Sequence, residues 1–167
     1  MASGILILTQ SGILVNEIMH SNNLNKKHVK KVYEITVEEI FSGKEKAFFE
    51  KGDLILKDCA TPCKPAVFNI LPSGSSNLSS TVATYGVNDN NLIKNHDDVN
   101  NNLNNNANED NVKNSRKGVI ELYEGRYHQI RRMFGALGNK VNSIHRIEIG
   151  YLSLSSLPTG TNELSLE

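Results

Sequence analysis

The sequence lacks several features that would point directly to a function. It contains no hydrophobic run approaching the roughly 20 residues that a membrane-spanning helix needs, so we predict no membrane partner. Its 18 Lys and Arg residues balance its 18 Asp and Glu residues, and a net charge of zero taken alone argues against nucleic-acid binding. With 167 residues, 38% of them hydrophobic, the chain is long enough for one domain with its own core.

Cysteine is also scarce. Cys59 and Cys63 are the only two in the chain, and the absence of a second ligand pair excludes a recognisable zinc motif. Nothing in the sequence motivates a disulfide between them. We therefore expect two reduced thiols in a reducing intracellular compartment, the cytoplasm or an organelle.

The charges cancel in number but are segregated along the chain. One basic cluster comprises Lys26, Lys27, Lys30 and Lys31, a second runs from residue 126 to 132, and acidic residues gather between 34 and 58. A field concentrated on one face can hold a phosphate backbone even when the net charge is zero.

The densest chemistry lies between residues 124 and 134. Apolar residues recur there at helical spacing, at Ile130, Met133, Phe134 and Leu137, and Gly138 is expected to end this helix. The preceding residues 119–123 alternate like a strand. Polar side chains therefore crowd the turn and the first turns of the helix: Arg126, His128, Gln129, Arg131 and Arg132.

Two interpretations of this basic crowding are open. A helix N-terminus disfavours cations by roughly 0.3 to 1 kcal/mol each, and an anion nearby would relieve that cost. The side chains then contact RNA phosphates or a buried carboxylate. Alternatively they form a solvated basic helix face, which composition alone favours.

The order of residues in this segment is more specific than its composition. Glu-Gly-Arg-Tyr-His-Gln-Ile-Arg-Arg-Met-Phe at 124–134, then Leu-Gly-Asn at 137–139 and Ile-His-Arg-Ile-Glu-Ile-Gly at 144–150, closely resembles the C-terminal signature of RsuA-type RNA pseudouridine synthases. Residues 31–37 are similar to the family's Lys-x-Tyr strand. Residues 4–9 with Gly12 resemble the end of its first motif. These pieces stand in the family's order and cover the chain apart from one internal stretch.

The first motif departs from the family pattern. In the family it reads Gly-Arg-Leu-Asp-x-x-Thr-x-Gly, and its Asp is the nucleophile. Met1-Ala2-Ser3-Gly4 aligns with the last four positions, so the Asp is expected two residues before Met1, as if the chain were N-terminally truncated. The alternative is a non-catalytic RNA-binding protein that has lost this residue.

The resemblance implies a role for each candidate site residue. Tyr33 stacks on the target uracil and Arg131 pairs with the nucleophilic Asp, while Ile144 packs near the base. From the residues alone, a half-buried strand tyrosine is the favoured interpretation of Tyr33, and a core isoleucine is an equally good interpretation of Ile144. The remaining residues would bind or position RNA: Lys31, Arg126, His128, Gln129, Arg132 and Arg146.

The implied enzyme is an intramolecular transferase. It isomerises a specific uridine, in ribosomal RNA, to pseudouridine without a cofactor or metal, and it acts as a monomer on its RNA partner.

The remaining patterns predict an α+β fold. Apolar runs at 4–9, 54–56 and 66–71 indicate strands, with the last two expected to form a hairpin. Amphipathic patterns near 14–19 and 44–51 indicate short helices. Together they predict the pseudouridine synthase catalytic-domain fold, with a mixed, mainly antiparallel sheet flanked by helices.

Residues 73–115 differ in composition from the rest of the chain. They are rich in Ser, then in Asn and Asp, with too few apolar residues to offset the entropy of ordering. We predict a disordered insertion that divides one catalytic domain into residues 1–72 and 116–167. A functional Asn-rich aggregation segment is the alternative.

Overall fold

The computed structural model describes residues 1–20, 29–73 and 114–157. The helices are α1 (Gly12–His20), α2 (Glu45–Lys51) and α3 (Gln129–Ala136). The strands are β1 (Ala2–Gly4), β2 (Lys31–Val37), β3 (Val67–Ile70), β4 (Lys117–Leu122), β5 (Val141–Ile149) and β6 (Leu152–Ser153), with a 3₁₀ turn at Leu154–Ser156. None of these helices has the length and apolar character needed to cross a membrane.

The strands form one sheet in the order β1-β5-β2-β4-β3, and β6 pairs with β5. β1 runs parallel to β5, whereas every other pairing in the described ranges is antiparallel. The predicted α+β class, with a mixed and mainly antiparallel sheet, is confirmed. β2 lies between β4 and β5, so its side chains meet neighbours on both sides.

Helix α3 packs on the sheet as its pattern predicts. Ile130, Met133 and Phe134 are buried in the core, and Arg131 on the opposite flank is exposed. The chain leaves the helix through Gly138, whose positive φ of 77° is readily adopted by glycine. The predicted face and end of this helix are therefore confirmed.

Aromatic rings join the helices to the sheet. Phe134 of α3 stands edge-on to Phe49 of α2, with ring centroids 4.9 Å apart, and to Phe68 of β3, at 5.4 Å. Phe41 adds an edge contact with Phe68 at 5.0 Å. Edge-to-face pairs of this kind contribute roughly 0.5 to 1.5 kcal/mol each beyond their buried area. This cluster fixes α3, and with it the basic side chains on the helix, against the sheet.

Two strand predictions are wrong. The run at 4–9 contributes only its first residue to β1, and beyond the buried Ile5 the side chains of Leu6 and Leu8 are 72% and 82% exposed. Residues 54–56 form no strand, although Leu54 and Leu56 are buried. The hairpin partner of β3 is instead β4. Both runs have strand-like length, but periodicity alone does not supply a partner strand.

The predicted insertion falls between two paired strands. Ile70 at the end of β3 stands opposite Gly118 in β4, and the Leu71 N–H donates to the Lys117 carbonyl at 2.9 Å. Residues 74–113, which make up most of that prediction, lie outside the described residues. The two ends of the segment are thus held together by an antiparallel ladder.

Candidate active site and RNA interface

Tyr33 and Arg146 face each other at the centre of the sheet. They are direct neighbours across β2 and β5, and Gly4 of β1 pairs with Arg146 on its other side. Tyr33 is half-buried and packs against the core, so part of its ring is open to a ligand. Arg146 donates from Nε and Nη2 to the Ile5 carbonyl, at 2.8 and 2.5 Å. These bonds fix the guanidinium of Arg146 close to the Ile5 backbone, next to β2, where Tyr33 is its neighbour.

Arg131 and Ile144 come together at the start of β1. Ile144 pairs with Ala2 on one side, and its N–H donates to the Met1 carbonyl at 3.0 Å. Arg131 reaches the same place from α3, with Nη2 3.5 Å from the Met1 oxygen and Nη1 3.4 Å from the Val141 oxygen. These are its two hydrogen bonds to described residues. Since both are long, the guanidinium keeps most of its five N–H donors for another acceptor.

Lys31 is the one buried lysine among the described residues, with 2% of its surface exposed. Its Nζ donates to the Val29 carbonyl at 3.0 Å. Burial, followed by the positive charges of Arg146 and Lys64, lowers the pKa of Lys31, and the carboxylate of Glu124 opposes that shift. The charge therefore sits where water stabilises it poorly.

Arg126 lies in a separate network. Its Nε donates to Glu124 Oε2 at 3.1 Å, and its two terminal nitrogens donate to the carbonyls of Thr61 and Pro62 at 2.8 and 2.5 Å. Glu124 Oε1 also accepts from Gln129 Nε2 at 2.6 Å and from the Lys64 backbone N–H at 3.0 Å. The donors of Arg126 and Gln129 are thus engaged inside the protein. Their predicted RNA contacts stay predictions, and the geometry gives both residues a structural task.

His128 adopts a left-handed conformation at the start of α3, with φ at 49°, which is uncommon for a residue other than glycine. Its ring stacks on Tyr127, with centroids 4.0 Å apart and 12° between the planes. Tyr127 is 78% exposed. The turn therefore presents a flat aromatic surface to solvent, and aromatic surfaces of this kind stack on nucleic-acid bases.

Arg132 is directed towards Cys59. Both of its terminal nitrogens lie 3.7 Å from the sulfur, and this contact lowers the pKa of the Cys59 thiol. Cys63 is 2% exposed, and burial raises the pKa of its thiol. Both cysteines are free thiols, as predicted. Arg132 is also near the aromatic turn, since its Nη1 lies 3.4 Å from the Tyr127 carbonyl oxygen.

The structure divides the predicted site residues into two groups. Four of them converge around β1, β2 and β5: Tyr33, Arg131, Ile144 and Arg146. Lys31 is the first residue of β2, the strand that also holds Tyr33. Four lie in the turn before α3 or in the first turn of that helix: Arg126, His128, Gln129 and Arg132. Glu124 and Lys64 are absent from the predicted site residues, although both contact this region. Glu124 could have been predicted from the sequence, because it is an acidic residue directly before the basic segment at 126–132.

The chain resembles known proteins over most of its length. A family model described as RNA pseudouridylate synthase matches residues 1–136. The ribosomal small subunit pseudouridine synthase A of Pasteurella multocida (strain Pm70) is 29% identical over 152 residues, which cover 91% of this chain and 45% of that protein. The protein of the same name from Haemophilus influenzae is 29% identical over 148 residues, covering 89% of this chain and 44% of the relative.

A solved structure shows the same similarity. A crystal structure of a pseudouridylate synthase superposes with a TM-score of 0.53 at 25% identity, covering 86% of this chain and 42% of that one. The chain thus spans less than half the length of these relatives. Because the family model matches well over half of its residues, the chain belongs to the RNA pseudouridylate synthase family.

Proposed function

We propose that the protein is a pseudouridine synthase catalytic domain that isomerises a uridine in RNA. The observation that carries this proposal is the convergence of Tyr33, Arg131, Ile144 and Arg146, from three separate parts of the chain, along β1. An aromatic ring, an aliphatic side chain and two guanidiniums are suitable for holding a flat base and a phosphate chain.

The reaction divides into steps that these residues serve. The target uridine leaves its stack at a cost of a few kcal/mol, which stacking on Tyr33 and contacts with cations offset. A carboxylate attacks C1′ of the ribose as the bond from C1′ to uracil N1 breaks, and the freed uracil rotates. Its carbon 5 then bonds to C1′ and displaces the carboxylate, and the proton on carbon 5 is transferred to N1 by way of solvent. Ile144 packs beside the base during the rotation.

Arg131 fits the role of partner to the nucleophile. Its guanidinium reaches the Met1 carbonyl and makes only long hydrogen bonds to described residues. An Asp placed two residues before Met1 would enter the sheet from this direction. A charge-assisted pair between that Asp and Arg131 would hold the carboxylate ionised and oriented.

Ribosomal RNA is the substrate that we propose, because the relatives from Pasteurella and Haemophilus bear the name ribosomal small subunit pseudouridine synthase. We further propose that the protein acts as a monomer, without a cofactor or metal, in a reducing compartment. The alternative function is that of a non-catalytic RNA-binding protein.

The test extends the chain upstream by Gly-Arg-Leu-Asp and one spacer residue before Met1. This version should form pseudouridine in ribosomal RNA, scored by carbodiimide-blocked primer extension. Its Asp→Asn and Arg131→Ala variants should lose that product while still binding RNA. Lys140→Ala, which removes an exposed lysine paired with Glu38, serves as the matched control and should keep full activity.

Pseudouridine made by the unextended 167-residue chain would overturn the assignment of the nucleophile. Binding of RNA by every version, with no product from any, would identify a non-catalytic RNA-binding protein.

A further inference from the structure

Lys31 carries a charge that its surroundings do not neutralise. Among the described residues, no carboxylate lies within ion-pair distance of its Nζ, which donates only to the Val29 carbonyl. The adjacent Lys30 is different, because its Nζ lies 3.0 Å from Glu148 Oε2. A buried ammonium with a single neutral acceptor reduces the stability of the fold.

The charged groups around Lys31 are mostly positive. Arg146 comes from β5 and Lys64 from the loop before β3, and both lower the pKa of Lys31 after burial itself. Glu124, which follows β4, acts in the opposite direction. Its carboxylate is already shared by Arg126, Gln129 and the Lys64 backbone. The Glu124 carboxylate is therefore not reserved for Lys31.

The buried ammonium of Lys31 lies next to the proposed base-binding surface. Lys31 and Tyr33 are two residues apart on β2 and point to the same face of the sheet. Arg146 stands directly opposite Tyr33. A nucleotide stacked on the tyrosine would bring its own phosphate close to these cations.

We propose that Lys31, Lys64 and Arg146 form a binding site for one RNA phosphate beside the uridine stacked on Tyr33. The inference rests on the proposed function, and it adds Lys64 and a single phosphodiester to it. A phosphate supplies the negative charge and acceptor oxygens that the buried ammonium lacks. Binding then recovers free energy that the unliganded fold loses by burying Lys31.

The decisive variant is Lys31→Met, which keeps the length of the side chain and removes its charge. Replacing a poorly compensated buried charge by an apolar group stabilises proteins, so the thermal midpoint should rise by about 2 to 4 °C. Affinity for a uridine-containing single-stranded RNA of about nine nucleotides should fall about tenfold at low salt, as for the loss of one charge-assisted contact. The slope of log affinity against log salt should become shallower by about 0.7, the value for one phosphate on a single strand.

Lys64→Ala tests the same site from the loop and should make the slope shallower by a similar amount. Lys140→Met is the matched control, since Lys140 is exposed and paired with Glu38, and it should leave both the slope and the midpoint unchanged.

The outcomes separate this inference from the proposed function. If the unmodified chain binds the RNA and both Lys31→Met and Lys64→Ala keep its salt slope, the phosphate site is wrong and the proposed function stands. If the chain binds no RNA at any salt concentration, the proposed function fails with it. A Lys31→Met protein that is both less stable and unaltered in salt slope would assign Lys31 a structural role.

Discussion

Two sets of basic residues, the Glu124 network and the Lys31 cluster, differ in whether their positive charge is neutralised by the protein. In the Glu124 network, formed by Glu124, Arg126 and Gln129 with the loop at residues 61–64, the cation has a carboxylate and two carbonyls at hydrogen-bond distance. In the Lys31 cluster, formed by Lys31, Lys64 and Arg146, burial and then the positive charges of Arg146 and Lys64 lower the pKa of Lys31. A neutralised cation holds the protein together, and an uncompensated one is suited to an anionic ligand.

The comparison also explains why a basic motif is not by itself an RNA interface. Arg126 belongs to the basic segment before α3, yet its side chain is only 20% exposed and bonded to the loop. Lys31 also belongs to a basic cluster, at residues 26–31, but among the described residues no carboxylate lies within ion-pair distance of its Nζ, and it stands two residues from Tyr33 on β2. The partners of each cation, rather than the density of cations along the chain, indicate its task.

The largest effect should follow from breaking the Glu124 network. Glu124→Ala leaves Arg126, Gln129 and the Lys64 N–H without their acceptor, so we expect the free energy of unfolding to fall by about 2 to 3 kcal/mol. Urea denaturation measures this loss. Glu38→Ala, which breaks an exposed ion pair with Lys140, is the control and should cost less than about 0.5 kcal/mol. Equal losses in the two variants would show that the network is not structural.

A smaller effect should appear in the pH dependence of stability. The pKa of Lys31 is lowered from 10.5 in the folded state, so between the lowered value and 10.5 the unfolded chain binds more protons. The stability of the unmodified protein should therefore rise with pH through this window relative to Lys31→Met, and the advantage of the variant should shrink.

Tyr123 also titrates in the alkaline pH range of this experiment. Its hydrogen bond to Glu121 raises the pKa of Tyr123 from 10 to about 12, so its contribution to stability is lost as pH rises through that range. Because Tyr123 is present in both proteins, its contribution cancels in the difference. Denaturation midpoints measured at a series of alkaline pH values provide the comparison. A constant gap between the two proteins would contradict the lowered pKa of Lys31.

The smallest effect should follow from removing residues 74–113. The ladder between β3 and β4 already holds the two ends together, and loop-closure costs change only slowly with length. Replacing the segment by a short Gly-Asn turn should leave the thermal midpoint within about 2 °C, or raise it slightly. Both the Glu124 and the Lys31 effects should persist in the shortened protein. Their disappearance would show that the segment takes part in the folded core.

The sequence predicted the elements whose own residue pattern identifies them. Helix α3 follows from apolar residues at helical spacing ended by Gly138, and β2 follows from alternation. The runs at 4–9 and 54–56 were misassigned because a strand needs a neighbour, and an apolar run does not reveal whether one is present. Leu54 shows the limit, since its carbonyl accepts from Cys63 in an isolated contact rather than a ladder.

The candidate site was predicted in the same uneven way. The resemblance selected Tyr33, Arg131, Ile144 and Arg146, and the sheet brings them together. The task of Arg126 was not readable, because Thr61 and Pro62 lie more than 60 residues away in sequence. Lys31 was named as an RNA contact, but the absence of a carboxylate partner among the described residues is a property of the folded chain alone.

Gly4 has a consequence for how the N-terminal segment is aligned. Its φ is 102°, and a Cβ at this position would overlap the backbone of Arg146. If β1 slid by one residue in either direction, Ser3 or Ile5 would stand there instead, and its side chain would collide with β5. Gly4 therefore restricts β1 to a single register against β5. Because Gly4 fixes this alignment, the position of every other residue of the N-terminal segment relative to Arg131 follows from its distance in sequence from Gly4.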